Sequence, residues 1–435
     1  MTAIVFIVFF VCLVFAVPIA MCMGYATILP GLLNPQFTGN MEFVVRSMIK
    51  GVDTMSILAI PLFMLSGAIM ATGGLSRRLF DVFALFIGRV KGGMPCAVVV
   101  TCLFYGAISG SGPATCAAVG TMCIPFLVEL GYDKIFAAAL VATAAGLGVI
   151  IPPSIPYISF GLVTDTSVGD LFTAGVFPGC LIAVWLMVYA LIYCRVKGED
   201  RKKIEENHNK LREKGVVQVL KEGFFALLTP VIILGGIYSG LFTPTEAAVV
   251  SVVYALFVGL FAYKELNLKV IYKKFAEAAC THGTVNIIVG TSTILGRVLT
   301  LEQIPDAVAH TMIGLTDNKI VILLIINLLL LGCGCLLETN SSILILAPIL
   351  YPVVASFGVD IVHFGIIMVV NLAIGFITPP VGVNLFVACG IGNIPFAELV
   401  KKIVPFLCVL LIGLVIITYV PAVTLALPRL LGYAG

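Results

Sequence analysis

Two consecutive prolines interrupt an apolar run at Gly148-Val149-Ile150-Ile151-Pro152-Pro153-Ser154, and the interruption recurs at Gly375-Phe376-Ile377-Thr378-Pro379-Pro380-Val381. Proline lacks an amide hydrogen and its ring collides with the carbonyl of the preceding turn, so a pair of them ends a helix. The surrounding sequence is lipid-like: 60% of the 435 residues are hydrophobic, 11% are charged, and mean hydropathy is +1.16. Runs long enough to cross a bilayer recur from end to end, which predicts an all-α polytopic membrane protein surrounded by the lipid bilayer. In hydrocarbon, freed backbone groups survive only inside protein or beside water, so each proline break needs such a place.

Two further segments are too short, too broken or too polar to cross simply. Residues 95–130 are apolar but carry Ser109-Gly110-Ser111-Gly112-Pro113 at their middle, which predicts a re-entrant helical hairpin with its tip there. Residues 75–91 begin with Arg77 and Arg78 and end with Arg89 and Lys91, the pattern of a helix lying in the interface. Residues 3–29 read as one first span punctuated by Pro18 and Pro30, followed by a polar connection with Asn34-Pro35. A second span covers 52–72 and ends at Gly73-Gly74. Asp165 and Asp170 are expected to cap the helix at 171. Thr243-Pro244-Thr245-Glu246 has the form of a capping box with proline at the first helical position.

Residues 195–222 form a hydrophilic connector with nine Lys/Arg against six Asp/Glu, a bias that marks the cytoplasmic side. It divides the chain into 1–194 and 223–435. The halves repeat at an offset of 227. Pro125, Gly131, Asp133, Gly148, Pro152, Pro153 and Pro178 map to Pro352, Gly358, Asp360, Gly375, Pro379, Pro380 and Pro405. Residues 106–180 and 333–407 hold six prolines each and four coincide, where chance gives about half of one. The broken helix at 134–165 thereby gains a partner at 361–391, and the hairpin gains one at 319–357, with its tip at Glu338-Thr339-Asn340-Ser341-Ser342. Counting spans from the connector puts 264–274, with four lysines, and Lys401-Lys402 inside, and it puts the base-poor stretch 302–317 and the C-terminus outside. The partner of 302–317 is the basic segment 77–91, so equivalent segments face opposite sides. That predicts two inverted-topology repeats.

Tips and breaks expose carbonyls that their own helices cannot satisfy, and half-helix C-termini are partially negative. Oxygens of Ser109, Ser111, Thr115, Ser154, Thr339, Asn340, Ser341, Thr378 and Asn384 can complete a shell for a small hard cation. The first tip has no acidic cage, so Na+ suits it better than Ca2+. The same small residues also serve close helix packing. Glu338 can neutralise a cation, carry a proton, pair with a base or face water. Nothing in the sequence forms a nucleophile–base pair, phosphate loop or metal-ligand cluster, so there is no basis for an enzyme. No basic cluster interleaved with aromatics suggests nucleic acid.

Five stretches, in order, make the chain resemble a known family. They are Ile108-Ser109-Gly110-Ser111 followed by Pro125, Gly148-x-x-Ile151-Pro152-Pro153-Ser154, Leu171-Phe-x-Ala-Gly-x-x-Pro178-Gly179, Gly240-x-Phe-Thr-Pro-Thr-Glu246-Ala and Thr378-Pro-Pro-Val-Gly-x-Asn384. Together they resemble the large membrane subunit of TRAP (tripartite ATP-independent periplasmic) transporters. The resemblance implies an elevator-type secondary transporter driven by Na+, with no cofactor beyond that coupling ion, in the bacterial cytoplasmic membrane. It implies two partners, a small four-helix membrane subunit and a periplasmic binding protein that delivers a carboxylate such as a C4-dicarboxylate, sugar acid or sialic acid. Carried over by motif, one Na+ site would use Ser109, Gly110 and Ser111 with Gly148, Ile151 and Pro152. The other would use Glu338, Thr339 and Asn340 with Gly375, Thr378 and Pro379. Substrate would sit between the tips, near Ser111, Thr115, Ser154, Ser341 and Asn384. A stand-alone Na+/carboxylate symporter of similar architecture is the alternative, separated from the first by whether genes for the two partners lie alongside.

Overall fold

The computed structural model describes residues 2–15, 17–33, 41–72, 74–303 and 318–433. The connection at Asn34-Pro35, Gly73 and most of the 302–317 stretch lie outside the described residues. Every described regular element is helical, and nine helices among the described residues are long and apolar enough to cross a membrane. Both proline breaks end helices as the missing amide requires. The first broken helix runs Lys134–Ala144, Leu147–Ile150 and Ile155–Thr164, and the second runs Ile361–Gly375 and Val383–Gly392. Both Pro-Pro bonds are cis.

The two hairpins are Gly93–Ser109 with Gly112–Glu129, and Lys319–Gly334 with Thr339–Ser356. The two return arms have 18 residues each. Shifted by 227 residues, the bounds of Gly112–Glu129 coincide with those of Thr339–Ser356. The broken helices form the centre: every residue from Phe136 to Gly161 and from Val362 to Gly375 is buried. Each return arm packs on the half-helix that follows the other break. Gly112–Glu129 lies on Val383–Gly392, and Thr339–Ser356 lies on Ile155–Thr164.

Corresponding positions of the two units are held by different chemistry. In the first, Phe136 stacks on Tyr193 with ring centroids 3.8 Å apart. In the second, His363 stands at the position of Phe136 and joins a buried polar chain. Asn371 donates to Asn327 Oδ1 at 2.7 Å, Asn327 donates to Thr418 Oγ1 at 3.1 Å, and the His363 ring lies 3.2 Å from the Thr418 carbonyl. In a medium without water such groups must satisfy one another.

Several expectations need correction. The first apolar run is not one span: Pro18 separates Thr2–Val14 from Ile19–Leu33, and these two helices pack side by side. The cap before residue 171 is Ser167, whose hydroxyl accepts from the Asp170 amide at 3.2 Å and starts the helix at Val168; Asp165 instead ends the preceding helix with φ of 57°. The connector is helical over Arg201–Glu213, and the next helix begins at Val216. The capping box is present in full, with Thr243 and Glu246 reciprocally bonded.

One connector residue is not solvated at all. Glu199 has a side chain only 1% exposed, and its Oε1 accepts from the Gly92 amide at 2.7 Å and from the Tyr132 hydroxyl at 2.8 Å. It thereby pins the connector to both ends of the first hairpin. Bonds to a buried carboxylate contribute about 1.5–3 kcal/mol, and bare buried donors cost a similar amount. Glu199→Ala is therefore expected to lower stability by roughly 3 kcal/mol, with Glu199→Gln milder because an amide oxygen can still accept. Thermal unfolding of the purified protein measures both.

Candidate functional site

Gly93–Ser109 ends because Gly110 takes φ of 61°, the left-handed conformation that glycine adopts without strain. Ser111 is extended, and the return helix starts at once with Pro113 in its first turn, where a missing amide costs nothing. The tip is a compact hydroxyl cluster: Ser109 Oγ lies 2.8 Å from Thr115 Oγ1, and Thr115 Oγ1 donates to the Ser111 carbonyl at 2.8 Å. The first break meets it directly. The Ile155 amide donates to the Gly110 carbonyl at 3.4 Å, and Gly148 lies so close that a Cβ there would stand 2.5 Å from Thr115 Oγ1 and 2.8 Å from the Ser111 oxygen. Ile151 is extended and leads into the bend at Pro152.

The second tip is built around Glu338, which is exposed and caps the return helix. Its Oε2 accepts from the Ser341 amide at 3.0 Å and its Oε1 from the Asn340 side-chain amide at 2.9 Å. An acid at a helix N-terminus is favoured by the aligned amides, and that is the role this geometry gives it. Asn340 also accepts from Ser159 Oγ at 3.2 Å, which ties the second tip to the half-helix after the first break. At the second break the Thr378 hydroxyl donates to the Ile374 carbonyl at 2.8 Å, leaving the oxygen's lone pairs for another partner. Gly375 touches the end of the outgoing arm: a Cβ there would be 2.2 Å from the Gly334 oxygen.

The structure therefore brings Ser109, Gly110, Ser111 and Gly148 together, and Gly375 with the end of the second hairpin's outgoing arm. The two tips approach each other as well. A cavity of about 90 Å³ has Gly110, Ser111, Glu338, Thr339, Asn340 and Phe376 in its wall. Beside it a cavity of about 640 Å³ is lined by Ser111, Glu338, Asn340 and Ser341 from the tips, and by Met64, Thr281 and Thr284 from neighbouring helices. Of the residues expected near substrate, Ser111 and Ser341 reach this space. Thr115, Ser154 and Asn384 are fully buried and turned to backbone: Ser154 donates to Val149 O at 2.5 Å and Asn384 to Ala142 O at 3.0 Å.

Sequence reasoning missed Thr281 and Thr284, which lie three residues apart on Leu268–Leu301 in a locally polar stretch with His282 and Asn286. Arg297 donates to Ser47 at 3.3 Å and lines a separate cavity of about 490 Å³. Among the described residues no group of three or more His, Cys, Asp or Glu is placed to hold a metal.

Solved structures of other proteins share this fold. The YdaH transporter of Alcanivorax borkumensis superposes with a TM-score of 0.63 at 13% identity, over 88% of this chain and 89% of that one. MtrF of Neisseria gonorrhoeae, from a class of antimetabolite efflux pumps, gives 0.61 at 12% identity over 86% and 83%. The fold is thus that of helical membrane transporters. Within that class, the chain belongs to the DctM component family of tripartite ATP-independent periplasmic transporters, whose family model matches residues 6–423. Among relatives, the isethionate TRAP transporter permease protein DctMQ of Oleidesulfovibrio alaskensis is 45% identical over 94% of this chain, which spans 64% of that relative's length. The C4-dicarboxylate large permease DctM of Pseudomonas aeruginosa is 45% identical over 87% of each chain. The sialic acid large permease SiaM of Vibrio cholerae is 37% identical over 90% of this chain and 91% of its own.

Proposed function

We propose that this TRAP large permease subunit imports an organic acid, a carboxylate or sulfonate anion, at the expense of a Na+ gradient. The observation that carries the reading is the meeting of both hairpin tips in the walls of the 90 and 640 Å³ cavities, with each hairpin against its own break. Each hairpin–break junction would hold one Na+. Ser109, Gly110, Ser111, Gly148, Ile151 and Pro152 would serve the first, and Glu338, Thr339, Asn340, Gly375, Thr378 and Pro379 the second. Filled ion sites would lock the tips in place and so complete the substrate cavity between them, which couples the two ligands as linkage requires. Coincident helix bounds at an offset of 227 and the reciprocal packing of return arms on half-helices support inverted repeats. The repeats would move as an elevator against the helices around Leu268–Leu301.

The partners are a small four-helix membrane subunit and a periplasmic binding protein, and the site of action is the bacterial cytoplasmic membrane with the connector inside and the C-terminus outside. The substrates that name these relatives, C4-dicarboxylate, sialic acid and isethionate, are all organic anions and set the candidates to try. Thr378→Val tests the second ion site. It removes one oxygen while keeping shape, and is expected to raise the Na+ concentration for half-maximal uptake roughly tenfold, the worth of one strong oxygen contact. An unchanged Na+ dependence would take Thr378 out of the site.

A further inference from the structure

Three cavities run in series along the first return helix, Gly112–Glu129. The 640 Å³ cavity beside the tips and a second of about 630 Å³ share Met64 and Ser111 in their walls. That second cavity and a third of about 350 Å³ share Arg77, Thr121 and Met122. Ser111 precedes the return helix and Glu129 ends it, so the series follows its whole length, roughly 27 Å at 1.5 Å per residue.

Among the described residues one base lines this series, Arg77. Its neighbour Arg78 is committed elsewhere, ion-paired with Glu265 and lying 3.9 Å over the Tyr263 ring. Arg77 forms no ion pair among the described residues and is exposed where the second and third cavities join. The second cavity is otherwise walled largely by small apolar groups, Gly67, Ala71, Ala114 and Ala117 among them.

We propose that this series is the route by which the organic acid leaves the space between the tips for the cytoplasm, and that Arg77 is the cation that holds the anion on the way. The inference rests on the proposed function above. An anion crossing apolar walls sheds water at high cost, and a guanidinium midway offsets that cost with a planar fork matched to a carboxylate. Beyond Arg77 the third cavity presents Asp81 and Glu129, so the anion passes from Arg77 into water and does not lodge at the mouth. Arg77 is a transit residue, distinct from the tips that select the substrate.

The test uses the assembled transporter in proteoliposomes, with a C4-dicarboxylate, sialic acid and isethionate tried in turn, and compares exchange from the lumenal, cytoplasmic-side solution with uptake from outside. Arg77→Gln is expected to raise the half-saturating concentration on the cytoplasmic side roughly tenfold, the size of one charge-assisted contact, and to leave the outer value within about twofold. Arg77→Lys should restore most of the loss. In a second variant, Ala117→Phe places a ring in the open second cavity, and is expected to cut exchange about tenfold while Na+ still raises the melting temperature. If the wild type moves none of the three acids, the proposed function fails and the route falls with it. If it moves one and either Arg77→Gln or Ala117→Phe behaves as wild type, only the route fails.

Discussion

Replacing Gly375 by alanine is expected to abolish transport and to destabilise the folded protein. The added methyl would lie 2.2 Å from the Gly334 oxygen and 2.3 Å from its carbonyl carbon. Both are backbone atoms of the arm that carries the second tip, so no side chain can swing aside and the arm itself must move. Overpacking of this kind costs about 1–3 kcal/mol, and a displaced tip no longer meets its break. Gly148→Ala should be milder, because the nearest atom there is the Thr115 hydroxyl, which can rotate, and the Ser111 backbone stands farther off at 2.8 Å. Gly235, with nothing within 4 Å, supplies the control, since alanine in an open helix position is neutral or stabilising. Melting temperatures should fall in the order Gly235→Ala, Gly148→Ala, Gly375→Ala, and Na+ should stabilise the last of these least. A Gly375→Ala protein that melts and transports like the wild type would show that the second hairpin does not need its contact with the break.

The second large effect is expected at Thr284, which lines the 640 Å³ cavity from the helix Leu268–Leu301 and belongs to neither hairpin nor break. Among the described residues its hydroxyl donates only to the Cys280 carbonyl at 3.4 Å, a bond within its own helix. Thr284→Trp would fill the space opposite Ser111, Glu338, Asn340 and Ser341. Uptake should fall at least about tenfold while Na+ still raises the melting temperature by the wild-type amount. That split separates substrate space from ion sites. Uptake at the wild-type rate would place the substrate elsewhere, and lost Na+ stabilisation would place an ion nearer Thr284 than the account allows.

The elements that proline and glycine mark were readable because those residues act on the backbone directly. The pair at 152–153 ends a helix whatever surrounds it, and the tip at 109–113 contains the glycine whose conformation the turn uses. What side chains do was harder. Thr115, Ser154 and Asn384 read as polar atoms beside a break, but whether a hydroxyl faces a cavity or a carbonyl is a matter of rotamer and neighbour. Pro18 shows a second limit. Residues 3–29 have the length of a single span, and because membrane helices tolerate proline, nothing local separates a kink from a reversal. Glu199 shows a third: within a run of charge it reads as solvated, and only the fold brings Gly92 and Tyr132 over it. Thr281 and Thr284 gained meaning only once a distant pair of tips was placed opposite them.

Na+ acting at the two hairpin–break junctions to complete a substrate cavity is what drives the proposed transport. The most direct measurement is uptake of a radiolabelled C4-dicarboxylate, sialic acid or isethionate into proteoliposomes holding the transporter and its small subunit, with purified binding protein outside and an imposed inward Na+ gradient. Uptake that requires both the gradient and the binding protein, and disappears when K+ replaces Na+, is the predicted result. Accumulation of the acid at the same rate without Na+ would contradict it.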